Sequence, residues 1–249
     1  DSLHKSGILY GVAIDECHCL SEWGHDFRPA YQNLYMLKEK TPELPIMCLT
    51  ATATIQCQSD IIAHMRLNDP LIIRGSFDRK NLTCVFHQKI DMQEDFAPYF
   101  KNQKPTIIYV STKKLAETIA GNILIWFGIN AKYYHGGMNY SQRKATHDFF
   151  VKEKSPCVVA TVAFGMGIDK PDIRTVIHYG VPKTIEDYYQ QTGRAGRDGF
   201  ASKCVLFWNA GDLMLTEFYL KGISDVTHAN EMRKKIKTTH NLLEYKKCK

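Results

Sequence analysis

The sequence has 249 residues, 44% of them apolar, and a formal net charge of +6; that is enough chain for two compact domains of ordinary size. No apolar run approaches the roughly 20 residues of a membrane span, and the start, Asp1-Ser2-Leu3-His4-Lys5, has the character of neither a signal peptide nor an amphipathic presequence. Mild basicity permits a nucleic-acid partner without demanding one, and cysteines at 17, 19, 48, 57, 84, 157, 204 and 248 form no Cys-x-x-Cys pair, so free, largely buried thiols in an intracellular reducing compartment are expected rather than disulfides.

The first apolar run, Ile8 to Ile14, predicts a buried strand that delivers Asp15 and Glu16 to its carboxyl end, the edge at which parallel sheets bind ligands. There Asp15 could hold Mg²⁺ and Glu16 could polarise a water for attack on a terminal phosphate. Acidic residues also follow strands merely as turn or helix-start residues, so the pair alone decides nothing. Beyond it, Trp23, His25, Phe27 and Arg28 crowd six positions with groups able to stack on bases. Tyr31, Leu34, Tyr35 and Lys38 have helical spacing, Pro45 to Leu49 reads as the next buried strand, Ile55 to Leu67 as a helix, and Leu71 to Ile73 as a closing strand. Thr50-Ala51-Thr52-Ala53-Thr54, between the second strand and its helix, is explained equally well by helix capping.

The polar connector from Arg74 to Asn81 marks a domain boundary, and a second alternating set begins at Leu82. Thr106 to Val110 is a buried strand ending at Ser111 and Thr112; Lys113 to Trp126 is a helix with Leu115, Ile119, Ile123 and Trp126 on its core face. Ala131 to Tyr134 leads into His135-Gly136-Gly137-Met138, whose glycines suit either a tight turn or a close ligand. Cys157 to Ala160, Thr175 to Tyr179 and Lys203 to Trp208 are further strands, and Ile185 to Gln191 a helical approach to Gln190-Gln191-Thr192-Gly193-Arg194-Ala195-Gly196-Arg197-Asp198-Gly199. Two arginines three apart among three glycines suit phosphate oxygens. In the stretch Thr161 to Pro171, Thr161 offers a hydroxyl to a phosphate, Gly165 and Gly167 keep a tight turn, and Asp169 can accept from a ribose hydroxyl.

Acid pair and arginine pair are the working parts of phosphoryl transfer, and here the sequence resembles a known family. Asp15-Glu16-Cys17-His18 is similar to the DExH box of superfamily 2 helicases, and Ser21 to Pro29 to the aromatic-rich loop of RecQ-family DNA helicases. Ser21 to Arg28 and Ser76-Phe77-Asp78-Arg79-Lys80-Asn81-Leu82 resemble the Werner-syndrome branch, although that pattern usually has proline where Lys80 stands. The resemblance implies an α/β fold of tandem RecA-like parallel-sheet domains, the first incomplete at its N-terminus. Residues 1–76 would be the C-terminal part of domain 1, residues 77–222 the helicase C-terminal domain, and residues 223–249 the start of a zinc-subdomain helix.

It further implies an ATP-dependent helicase that moves 3′ to 5′ on single-stranded DNA and separates forked or structured duplexes, with ATP and Mg²⁺ as cofactors, a nuclear location and no membrane. By the same resemblance Asp15, Glu16 and His18 are catalytic, Arg197 is the arginine finger, Arg194 its supporting cation and Gln190 a link toward His18. Gly167 and Asp169 belong to the nucleotide side. Thr50 and Thr52 couple the nucleotide pocket to the second domain, Trp23, His25, Phe27 and Arg28 link DNA contact to hydrolysis, and Ser111, His135, Gly136 and Thr161 meet DNA. Cys248 matches the first cysteine of the family's zinc site, but its three partners do not follow, and one thiolate cannot close a tetrahedral site, so zinc is not expected on this chain.

No Gly-x-x-x-x-Gly-Lys-Ser/Thr loop occurs, so ATP lacks its principal anchor and the 249 residues alone are expected to be inactive or nearly so as an ATPase. The competing reading is a non-enzymatic DNA-binding module marked by steep salt dependence. An RNA helicase of the same superfamily is a third, against which the aromatic-rich loop argues.

Overall fold

The computed structural model describes residues 3, 6–21, 27–76, 78–165 and 168–212. The chain divides into two compact units, Asp1–Phe77 and Asp78–Lys249. In the first, β1 (Val12–Ile14) pairs in parallel with β2 (Ile46–Cys48), Ile14 opposite Cys48. A 3₁₀ helix, Cys17–Leu20, follows β1; a second, Pro29–Leu34, runs into α1 (Tyr35–Lys40); α2 (Ile55–His64) follows β2. Ile14, Cys17, Leu20, Cys57, Ile61 and Met65 form the core of this unit. At the head of α2 the Thr54 hydroxyl accepts from the Cys57 N–H at 3.2 Å, so the last threonine of the run is a cap.

Three expectations for this unit are corrected. The strand is confined to Val12–Ile14, with Ile8 and Tyr10 exposed, and Leu71 to Ile73 form no strand, Leu71 being 86% exposed. Apolar runs become strands only where a neighbour pairs their backbone, and no described strand lies beside either run. The helix expected from Tyr31 starts two residues earlier as a 3₁₀ turn, Pro29 at its head, and becomes α-helical only at Tyr35.

The second unit contains β3 (Leu82–Gln88), α3 (Met92–Phe100), β4 (Thr106–Tyr109), α4 (Lys113–Phe127), β5 (Lys132–Tyr134), α5 (Tyr140–Lys152), β6 (Cys157–Ala160), β7 (Thr175–Tyr179), α6 (Ile185–Thr192) and β8 (Ser202–Trp208). All six strands are parallel, in the order β3-β8-β7-β4-β6-β5. Every residue of β4, β6 and β7 is buried, as expected of a sheet covered on both faces. Phe96 and Phe100 of α3 and Ile119 and Ile123 of α4 cover one face, where Trp126 also packs; Phe150 of α5 covers the other with Phe164, Ile168 and Ala195. Helix α4 starts at the Thr112 cap and stops at Gly128, whose φ of 68° is the left-handed conformation of a helix end.

No helix among the described residues is long and apolar enough to cross a membrane. Cys17, Cys19, Cys57, Cys157 and Cys204 are buried free thiols, whereas Cys84 is exposed.

Within β7, His178 is buried, stacked on Tyr109 with ring centroids 5.4 Å apart, and its Nε2 lies 2.8 Å from Gln191 Oε1 while Nδ1 has no hydrogen-bond partner among the described residues. Burial pushes its pKa from 6.5 down to about 4, against the raising effect of the Gln191 bond. The unfolded chain therefore binds the extra proton more readily: the stability tied to neutral His178 is complete above the unfolded value and falls by about 3 kcal/mol as pH drops through that interval. Imidazole ¹⁵N spectra should show His178 neutral at roughly pH 5.5 in the folded protein; titration near its ordinary value would contradict this.

Candidate functional site

At the end of β1 the chain turns sharply. Glu16 adopts φ 51°, ψ 38°, the left-handed region that costs a non-glycine residue about 1–2 kcal/mol. Its N–H donates to Asp15 Oδ1 at 2.8 Å, and the Cys17 N–H donates to Leu49 O at 3.0 Å, tying the turn to the end of β2. The buried His18 ring places Nδ1 2.9 Å from Thr50 Oγ1 and 3.3 Å from Glu16 Oε2. A carboxylate only accepts, so Nδ1 carries a proton, and Nε2 faces Cys19 Sγ at 3.7 Å. Thr50 Oγ1 also accepts from the Thr52 N–H at 3.2 Å. Asp15, Glu16, His18, Thr50 and Thr52 thus form one connected turn. The Cys17 thiol beside them is pushed up by its bond to Cys48 and by burial, which keeps it protonated and out of nucleophilic chemistry.

The aromatic-rich stretch leaves from this turn. Ser21 Oγ donates to Asp60 Oδ2 on α2, Gln32 Nε2 donates to Leu20 O at 2.7 Å, and the Arg28 N–H returns to Cys19 O at 3.0 Å. Both ends of the loop are therefore pinned. Phe27 is exposed, and Arg28 lies 6.0 Å from the Tyr31 ring centroid. Trp23 and His25, like Gly167 and Cys248, lie outside the described residues.

In the second unit, Ser111, Thr161 and His135-Gly136 follow the carboxyl ends of β4, β6 and β5, three adjacent strands. The Val110 N–H donates to Ala160 O at 2.8 Å and the Thr161 N–H to Tyr134 O at 3.1 Å, so the rim is continuous. Ser111 and Gly136 are exposed, whereas the His135 side chain is buried. Gly136 has no positive φ, and a Cβ there would meet nothing within 4 Å. The turn does not require glycine at that position, and the space above it is open.

The arginine stretch packs across one face of the same sheet. Arg194 is 8% exposed, and its Nη2 would lie 2.9 Å from a Cβ placed on Gly165. Tyr109 donates to Phe164 O at 2.9 Å; burial pushes its phenol up to about 12 although Arg194 pulls the other way, so it stays a donor. Arg197 is exposed, and its Nη1 lies 3.3 Å from Ile168 O and 3.4 Å from Asp169 Oδ1. So loose a surface ion pair is worth under about 1 kcal/mol, leaving Arg197 available to another anion. Gln190 stands half-buried on α6.

Residues 78–199 match the family model described as helicase conserved C-terminal domain. The chain is 46% identical over 220 residues to the ATP-dependent helicase wrn-1 of Caenorhabditis elegans, covering 84% of this chain and 21% of that protein. It is 44% identical over 203 residues to the ATP-dependent DNA helicase RecQ of Pasteurella multocida, covering 81% of this chain and 32% of that one. The chain is similar to RecQ-family helicases over more than four fifths of its own length. Among solved structures, the Mycobacterium smegmatis helicase Lhr bound to single-stranded DNA and AMP-PNP superposes with a TM-score of 0.65 at 22% identity, over 86% of this chain and 30% of that one, a likeness of fold.

The chain also holds contacts that the sequence did not announce. Arg79 Nη2 donates to Ala195 O at 3.2 Å and Gly196 O at 2.8 Å, and Asn81 Nδ2 to Gly196 O at 2.8 Å and Phe200 O at 3.0 Å. The two side chains clamp the backbone between Arg194 and Arg197 from more than a hundred residues away, a separation no local pattern reports. Gly196 itself has φ 52°, and a Cβ there would fall 2.6 Å from Asn81 Nδ2, 2.6 Å from Ser202 Oγ and 2.7 Å from Phe200 O. Gly196→Ala should therefore destabilise the second unit by about 2–4 kcal/mol, read as a shift in urea midpoint; a neutral outcome would show that the clamp yields.

Proposed function

We propose that this chain is part of an ATP-dependent DNA helicase that translocates 3′ to 5′ on single-stranded DNA and opens forked duplexes in the nucleus. The observation that carries the reading is the connected turn after β1, in which the acid pair is held to the end of β2 through His18 and Thr50. Asp15 suits Mg²⁺: one carboxylate oxygen accepts the Glu16 N–H, the residue is exposed, and a hard oxygen donor is what Mg²⁺ takes. Bound with ATP, that ion would neutralise charge on the phosphates.

Glu16 orients and deprotonates the attacking water, and His18 passes the state of this turn to Thr50 and Thr52. Arg197 stabilises the charge that develops on the transferred phosphate, with Arg194 beneath it; Gln190, Gly167 and Asp169 belong to the nucleotide side. Ser111, Gly136, Thr161 and the loop bearing Trp23, His25, Phe27 and Arg28 follow the DNA strand, with His135 shaping the turn at Gly136. Residues 1–76, 77–222 and 223–249 act as the C-terminal part of the first motor domain, the second motor domain and the start of a further helix. No group of three or more His, Cys, Asp or Glu able to hold a metal occurs among the described residues.

In the complete gene product, Arg197→Ala should lower DNA-stimulated ATP hydrolysis by about 10³-fold or more while single-strand affinity stays close to wild type; normal turnover would sink the assignment. A duplex with a 3′ tail should be opened and one with a 5′ tail left intact. The isolated 249 residues should hydrolyse ATP poorly. The second reading is a DNA-binding module without catalysis. Salt-sensitive DNA affinity indifferent to nucleotide, in a complete gene product that has no ATPase, would select it.

A further inference from the structure

We propose that Glu117 is a positioning residue that sets the tautomer of His135 and, through it, the shape of the Gly136-Gly137 turn offered to a DNA phosphate; this rests on the reading of that turn as a DNA contact. The His135 ring is 6% exposed and lies nearly parallel to Tyr133, 5.6 Å between centroids and 13° between planes, which fixes its plane. The Gly137 N–H donates to His135 Nδ1 at 3.2 Å. A nitrogen that accepts carries no proton, so the ring hydrogen of neutral His135 is on Nε2. Nε2 lies 2.9 Å from Glu117 Oε1, and a carboxylate can only accept. Both contacts select the same tautomer. The other one would set two N–H groups against each other at Gly137 and a lone pair against a carboxylate at Glu117.

What this fixes is a turn. The Met138 N–H donates back to His135 O at 3.1 Å, and the His135 N–H meets Met138 Sδ at 3.3 Å. Gly137 is wedged: a Cβ there would lie 3.3 Å from His135 Nδ1 and 3.3 Å from both Cδ and Nζ of Lys113. The exposed Gly136 amide, at the apex, makes no hydrogen bond among the described residues. Glu117 is itself half in solvent, 51% exposed on the side of α4 that faces this rim. A carboxylate beside a phosphate-binding turn is electrostatically unfavourable, and the bond to His135 supplies a reason for it to be there.

The two roles open to Glu117 have opposite signs, which makes the test sharp. Binding of the 249-residue chain to fluorescein-labelled oligothymidylate is followed by anisotropy, with the His135 tautomer read from imidazole ¹⁵N shifts. Glu117→Ala should weaken binding about five- to tenfold although it removes a negative charge, and His135 should lose its pure Nε2–H signature. Glu117→Gln, whose Oε1 still accepts, should regain most of the affinity. Tighter binding by both variants would mean that the carboxylate acts only as a charge, and would overturn the proposal. So would a wild-type His135 protonated on Nδ1, a readout that stands even if Glu117→Ala fails to fold. Wild-type protein that ignores oligothymidylate, or binds it unchanged after Ser111→Ala and Thr161→Ala, would remove the DNA reading and this proposal with it, whatever tautomer His135 shows.

Discussion

A ladder of parallel strands cannot be closed by hairpins, and that constraint arranges the second unit. Each strand must be followed by a segment that returns across a face of the sheet. Helices α3 and α4 return across one face. On the other, the stretch from Thr161 to Arg174 connects β6 to β7 with no regular helix among its described residues, and α6 with its arginine loop returns between β7 and β8. These two lie against each other through Phe164, Ala195 and Arg194. Residues thirty positions apart are brought together because both connections must cover the same apolar strands, and the Arg197–Asp169 pair follows from that geometry.

The two arginines are held in different ways. Arg194 is buried beneath the loop, against Tyr109 and Gly165. Arg197 projects outward and, among the described residues, is engaged by a carbonyl and one exposed carboxylate. Below them Arg79 and Asn81 fasten the intervening carbonyls, and hydrogen bonds from a charged donor contribute about 1.5–3 kcal/mol each. One cation is thus part of the scaffold and the other is presented by it. Because Arg79 is the second residue of its unit, the fastening begins within the polar connector itself.

Legibility in the sequence followed the length of the apolar signal. The buried strands β4, β6 and β7 appear as unbroken apolar or aromatic runs bounded by polar residues, and their limits agree with expectation to within a residue. Helix α4, whose Ile119 and Ile123 recur at helical spacing behind a Thr112 cap, was equally plain. Ile8 to Tyr10 and Leu71 to Ile73 carry the same kind of signal and form no strand, because strand formation depends on a neighbour and a run cannot declare one. Site residues that lie within motifs could be named from the chain. Their supports could not: Asp60 holding Ser21, Arg79 holding Gly196 and Glu117 holding His135 are single polar residues whose meaning comes from distant partners.

Three buried histidines show how much of this site depends on proton placement. His18 carries its hydrogen on Nδ1, because Glu16 and Thr50 face that nitrogen; His135 carries it on Nε2, because Glu117 faces that one and an amide donor occupies the other. His178 faces the Gln191 amide oxygen in place of a carboxylate, and burial holds its pKa far below the ordinary value. A neutral imidazole is at once a donor and an acceptor, and that is the property His135 uses. His18 joins an acid-bearing turn to a threonine, and His135 joins an exposed carboxylate to a glycine amide. At His135 a residue that only donates or only accepts would lose either the Glu117 bond or the Gly137 bond, so the requirement there is for a two-sided connector of fixed orientation. His135 stands immediately beyond the carboxyl end of β5 and His18 in the turn that follows β1, where a parallel sheet presents its ligand-binding edge and a misdirected hydrogen bond would distort the surface a ligand meets.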